Sequence, residues 1–230
     1  MDNREQHLNI AIDGPAGAGK STIARAIAET LGIRYLDTGA MYRAMALHAE
    51  RCGVDPGDAA GMARIVNGAD IAVRYDGSGA QHVLLSGEDV TGLLRSGSLS
   101  MGSSMVGLHP PVRQKLAELQ RQVGREYDVV MDGRDITTNV LPDTPYKFYM
   151  TASVQERAKR RYGELMQRGG TDKTLEQIER EIAARDKNDM ERAYMPLRIA
   201  EDAVVVDTTG MDIATVTERM LCLIHEKAQR

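Results

Sequence analysis

The feature that most constrains this chain is the segment Gly14-Pro15-Ala16-Gly17-Ala18-Gly19-Lys20-Ser21, which has the spacing Gly-x-x-x-x-Gly-Lys-Ser of a phosphate-binding loop (P-loop). In such a loop the glycines let backbone N–H groups point at phosphate oxygens, and the helix after it adds positive potential from its N-terminus. Lys20 then reaches the β and γ phosphates, and the Ser21 hydroxyl ligates Mg2+. The setting is the one this chemistry needs. Residues 8–12 form an apolar-rich run that predicts a strand, and residues 22–31 carry helical spacing that stops at Gly32. The bland alternative, a glycine-rich turn with an exposed lysine, leaves the strand–loop–helix order unexplained.

The remaining pattern places this loop in an α/β chain. Short apolar strands are expected at 34–36, 127–132, 147–150 and 203–206, and helices at 112–126, 154–167, 175–189 and 213–227, with another running to about Arg51. Apolar strands alternating with helices argue for a parallel sheet covered on both faces. One stretch breaks the rhythm. Residues 70–75 and 81–85 flank Asp76-Gly77-Ser78-Gly79 and predict an antiparallel hairpin, followed by a Gly- and Ser-rich segment over 86–107. This region is taken as an insertion in the α/β core.

Composition removes several functional classes. With 230 residues, 42% hydrophobic and 27% charged, the chain is globular rather than disordered or fibrous. Eight Tyr, one Phe and no Trp give little material for base-stacking platforms. A net charge of -4 gives no global basic footprint for a nucleic acid polymer. Cys52 and Cys222 lie far apart with no CxxC companion, so neither a disulfide framework nor a zinc site is indicated, and both are expected to be buried thiols. The polar start and the lack of a long apolar run predict a cytoplasmic protein without a membrane partner.

Nucleotide binding alone does not define a reaction. No Asn-Lys-x-Asp segment is present to read guanine. The predicted strand at 127–132 leads into Asp132-Gly133-Arg134-Asp135, where two carboxylates and a guanidinium suit Mg2+ positioning and a second anion. Transfer to an anionic acceptor brings two phosphate groups together, so arginines should converge from several segments. Candidates are Arg43, Arg113 and Arg134, then Arg157, Arg160 and Arg161 on one helix, and Arg185 and Arg192 on the next. Glu181, Arg185 and Asp189 at i, i+4, i+8 also fit a solvated salt-bridged face, and Asp37 fits a simple helix cap.

These motifs, with Tyr35-Leu36-Asp37-Thr38-Gly39-Ala40-Met41-Tyr42-Arg43, Gly87-Glu88-Asp89-Val90-Thr91, Pro111-Val112-Arg113, Glu156-Arg157-Ala158, Arg185-Asp186, Pro196-Leu197 and Asp207-Thr208-Thr209, resemble the bacterial cytidylate kinases in order from about residue 8 to 209. The resemblance implies a nucleoside monophosphate kinase fold with a five-stranded parallel sheet, helices on both faces and a helical lid. It also implies one kinase domain: core at about 8–37, 108–153 and 195–230, acceptor-binding region at 38–107 and lid at 154–194. The implied reaction is transfer of the γ-phosphate of ATP to CMP or dCMP with Mg2+.

Carried over by motif, Gly14 to Thr22 with Arg157 and Arg160 would bind ATP. Thr38, Tyr42, Arg43, Ser104, Arg113, Arg134, Asp135, Arg185, Asp189 and Arg192 would bind CMP, with Ser104, Arg113 and Asp135 facing cytosine. Lys20, Arg134, Arg160 and Arg185 would be catalytic, and Ser21 would hold Mg2+ with Asp132 reaching it through water. The family usually continues Gly-Thr-Val-Val-Phe-Pro-Asp after Asp-Gly-Arg-Asp-Ile, whereas this chain has Thr137-Thr138-Asn139-Val140-Leu141-Pro142-Asp143.

A phosphate acceptor is mostly dianionic at neutral pH, so no general base is demanded and transfer should be direct and in line. Closure of the segment 168–192, hinged at Gly169-Gly170, would exclude water. A monomer is expected. The alternatives are a P-loop kinase of a small metabolite, shikimate- or gluconate-kinase-like, and a nucleotide-dependent regulator without acceptor chemistry.

Overall fold

The computed structural model describes residues 7–167 and 169–229. Arg168, one end of the expected closing segment, and the polar residues 1–6 lie outside them. In chain order the elements are β1 (Asn9–Asp13), α1 (Lys20–Leu31), β2 (Arg34–Asp37), α2 (Thr38–Arg51), α3 (Ala59–Ile65), β3 (Ile71–Tyr75), β4 (Gln81–Leu85), β5 (Glu88–Asp89) and α4 (Gly97–Val106). Next come α5 (Pro110–Glu126), β6 (Val129–Gly133), a single π turn (Ile136–Val140), β7 (Tyr146–Thr151), α6 (Val154–Gln167), α7 (Leu175–Glu191), β8 (Val204–Asp207) and α8 (Ile213–Ala228).

Five strands form one sheet in the order β2-β6-β1-β7-β8, with β1 and β8 parallel to β7. Ile10 and Ile12 of β1 face Tyr146 and Phe148 in register. Ile10, Ala11, Ile12, Phe148, Met150 and Val206 are wholly buried, as both faces of a parallel sheet require. A second sheet, β3-β4-β5, is antiparallel, and its Ile71↔Leu85 to Tyr75↔Gln81 pairing is the expected hairpin.

The described residues divide into two compact units, one holding residues 7–9 with Gly32–Met131, the other Ile10–Leu31 with residues 132–167 and 169–229. In the first unit α2 packs on α4 and the small sheet lies beside α2. In the second, α1 packs on α8, and α6 on α7. The α6–α7 pair has its own apolar cluster, Ala158, Ile178 and Ile182 with Val154, Tyr162, Leu165 and Leu175 against it. Thr174 starts α7 with a capping box closed by Gln177.

One expectation changes. Both cysteines are exposed. Cys222 lies off the face of α8 that buries Val216, Met220 and Ile224, and Cys52 sits just past the end of α2. The Gly- and Ser-rich segment, for which no element was expected, contains α4, capped by Ser96. Among the described residues no helix is long and apolar enough to cross a membrane.

Candidate active site

The conformation of the loop after β1 depends on its glycines. Gly14, Gly17 and Gly19 have φ of 148°, 75° and 86°, values an L side chain rarely adopts. A β-carbon on Gly14 would also run into the backbone carbonyl of Met150. Gly14→Ala is therefore expected to destabilise the fold by at least about 2 kcal/mol, read as a drop in urea midpoint. A midpoint equal to wild type would show that the loop relaxes around the clash.

Helix α1 starts at Lys20, two residues before its apolar spacing becomes visible, so Lys20 and Ser21 occupy its first turn. Lys20 is not the exposed loop lysine of the bland alternative: it is 5% exposed and donates from Nζ to the Pro15 carbonyl at 2.8 Å. Burial, then the Arg134 guanidinium, lowers its pKa to about 7, while Asp132 and Asp13 pull the other way. Ser21 and Thr22 are exposed. Ser21 Oγ donates to Asp132 Oδ2 at 2.9 Å. These two hard oxygen donors fit Mg2+, which keeps most of its waters and takes only one or two protein ligands.

Beyond β6, Asp189 gathers the arginines. Arg134 Nε donates to its Oδ2 at 2.7 Å, and Arg192 Nη1 to its Oδ1 at 3.3 Å. Burial pushes Asp189 up, but Arg134, with Arg185 and Arg192, outweighs it and holds the carboxylate below its ordinary range. Arg192 also donates to Met195 O at 2.7 Å and lies 3.6 Å from Asp135 Oδ1. Arg185 is half-buried on α7. On α7, Glu181 pairs with Lys173 at the surface, Lys187 lies beside Glu191, and Asp189 pairs with Arg134 and Arg192.

The two α6 arginines reach the loop region but are engaged with protein. Arg157, 4% exposed, donates to Ala152 O, to Ala16 O and to Asp186 Oδ2 at 2.6 Å. Asp186 also accepts from Ala16 N at 3.3 Å, so this ion pair holds both ends of one P-loop residue. Arg160 donates to Thr208 Oγ1 and O, beyond the end of β8. Arg161 pairs with Glu164 at the surface.

In the first unit, Asp37 caps α2 through Ala40 N and pairs with Arg43 at 2.7 Å, so it is both cap and counter-ion. The Gln81 side chain of β4 bonds both the N–H and the C=O of Asp37, which ties the hairpin to the turn carrying Thr38. Thr38 is buried. Arg113, 2% exposed, lies over the Tyr42 ring with 5.5 Å to the centroid and donates to Gly107 O. Ser104 is half-buried on α4.

Sequence reasoning missed Asp13, Gln81, Asp186 and Thr208 as parts of this machinery. Asp13 did carry a signal, since an acid closing an otherwise apolar buried strand must find donors. Asp186 and Thr208 stand in motifs quoted above, though no role was attached to them, and Gln81, which acts through a contact remote in sequence, had no signal.

A P-loop lysine at a helix start, a serine–carboxylate pair beside it and an arginine–aspartate network past the neighbouring strand define a nucleotide-dependent phosphotransferase of the P-loop class. The family model described as "Cytidylate kinase" matches residues 10–226, and the chain belongs to that family. A cytidylate kinase of Desulfitobacterium hafniense (strain Y51) is 47% identical over 228 residues, covering 98% of this chain and 96% of the relative. One of Caldicellulosiruptor bescii is 45% identical over 219 residues, covering 95% and 96%. An uncharacterized protein from Eubacterium ventriosum ATCC 27560, of solved structure, superposes with a TM-score of 0.51 over 95% of this chain and 99% of that one, at 13% identity, a likeness of fold alone.

Proposed function

We infer that this chain transfers the γ-phosphoryl group of ATP to CMP or dCMP, giving ADP and CDP or dCDP. The observation that carries the reading is the meeting of Lys20, the Ser21–Asp132 pair and the Arg134–Asp189–Arg192 network within one unit of a chain of this family. Gly14 to Thr22 hold the donor phosphates through backbone N–H groups and Lys20. Ser21, and Asp132 through water, would hold Mg2+, whose charge would offset that of the donor phosphates.

Arg134, Arg185 and Arg160 stabilise the equatorial oxygens of the transferring group, and the acceptor phosphate attacks without a general base. Thr38, Tyr42, Arg43, Ser104, Arg113, Arg134, Asp135, Arg185, Asp189 and Arg192 are assigned to CMP, with Asp135 accepting from the cytosine amino group. The α6–α7 pair is the lid, and its private apolar cluster supports its moving as one body. Arg157 and Arg160 would have to exchange some of their present partners for donor phosphate oxygens.

The test is ADP release in a coupled assay with CMP, dCMP, UMP, AMP, GMP and shikimate offered singly. Stimulation by CMP and dCMP far above the rest is expected. Equal or greater stimulation by shikimate, or hydrolysis indifferent to every acceptor, refutes the assignment.

A further inference from the structure

Asp135 stands at the N-cap of the π turn, and aspartate is among the best residues for closing such an end with its own side chain. Here it does not: its carboxylate makes no capping bond. The N–H groups of Ile136 and Thr137, which open the turn, donate instead to Asp13, at 2.9 Å to Oδ1 and 2.8 Å to Oδ2. Thr137 Oγ1 adds a third bond to Asp13 Oδ2 at 2.6 Å. The Asp135 carbonyl meanwhile accepts from Asn139 and Val140, so the backbone at this residue is fixed from within the turn. Its side chain lies 3.6 Å from the Arg192 guanidinium.

Asp13 is 0% exposed, and a carboxylate so placed needs every donor it has. Burial still pushes it up to about 6, against the pull of the Thr137 bonds and with a further push from the Asp135 charge. The two carboxylates therefore repel, and the donors of residues 136 and 137 hold Asp13 in place against that repulsion.

We propose that Asp13 and Thr137 are positioning residues for base selection: by capping this turn from β1 they keep the Asp135 carboxylate out of the cap, where it can meet the acceptor base. The inference rests on the reading that Asp135 accepts from the cytosine amino group. A purely structural role for the same bonds would change the melting temperature and leave selectivity alone.

The experiment is kcat/KM for CMP and for UMP, with KM for ATP and the melting temperature, in wild type, Thr137→Val, Thr137→Ser, Asp135→Asn and Thr137→Val/Asp135→Asn. Thr137→Val, nearly isosteric but without the hydroxyl, should lower the CMP to UMP ratio about tenfold, through KM for CMP, with KM for ATP little changed. Thr137→Ser should restore the ratio, and Thr137→Val should have no further effect on it in the Asp135→Asn background. Asp13→Asn, which keeps one acceptor oxygen, is the second variant should Thr137→Val fail to fold, and the same fall in ratio is expected. If Asp135→Asn collapses the ratio and Thr137→Val leaves it unchanged, with or without a lower melting temperature, the inference is overturned and the base reading stands. An equal rise in KM for ATP overturns it too, because the phosphate loop would then be what Asp13 positions. A ratio unchanged in Asp135→Asn itself removes the base reading and this inference with it.

Discussion

Lys20→Ala is expected to lower kcat about a thousandfold, ~4 kcal/mol of barrier, with the fold intact. The charge of Lys20 sits at the first turn of α1, beside Asp132 and the loop that would carry the phosphates, so its loss falls on the state in which phosphoryl charge is spread. Stability should not fall by more than about 1 kcal/mol. Burial lowers the pKa of Lys20 from its ordinary value to about 7, so the folded chain binds this proton less tightly than the unfolded one. The ammonium therefore opposes folding at neutral pH, and alanine removes that opposition together with one hydrogen bond to Pro15. Measuring kcat alongside the urea midpoint separates the two effects. A kcat within about tenfold of wild type, ~1.4 kcal/mol, would show that the loop does not hold the transferring phosphate.

The same residue marks how far the sequence could be read. The phosphate loop was legible because glycine, lysine and serine at fixed spacing have a mechanical meaning, and the sheet because short apolar-rich segments alternate with helical spacing, although β2 and β7 carry Arg34, Asp37 and Lys147. The burial of Lys20 was not legible, since it depends on Pro15, Arg134 and Asp132 closing round it. Helix α4 escaped because glycine and serine signal turns in most settings. Here they serve close packing: a β-carbon on Gly102 would stand 3.0 Å from the Ala46 side chain of α2, so small residues are what lets α4 lie against that helix. Helix α3 has seven residues, too short to show a period, and is marked only by its Asp58 cap.

The cysteines were misjudged by residue type, although the i, i+4, i+8 spacing of Val216, Met220 and Ile224 already puts Cys222 off the buried face. The arginines could be nominated as a set, but not their partners. Arg134 meets Asp189 across 55 positions and Arg157 meets Asp186 across 29, separations that no local pattern encodes.

Asp135→Asn is expected to cut kcat/KM for CMP about a hundredfold, ~2.7 kcal/mol, and to narrow the preference for CMP over UMP. A carboxylate only accepts hydrogen bonds, so it pairs with the N4 amino group of cytosine and meets the O4 acceptor of uracil with a repulsive, unsatisfied contact. Asparagine can turn its amide to present a donor, which removes the penalty against uracil while weakening the bond to cytosine. The group is 6% exposed, so little water is at hand to screen either contact. The fold should survive. Arg192 keeps its bonds to Met195 and Asp189, and the turn remains capped by Asp13. The measurement is kcat/KM for both acceptors with KM for ATP as the internal control. If the CMP to UMP ratio is unchanged while the variant melts like wild type, Asp135 does not read the base, and its place beside Arg192 is an ion pair and nothing more.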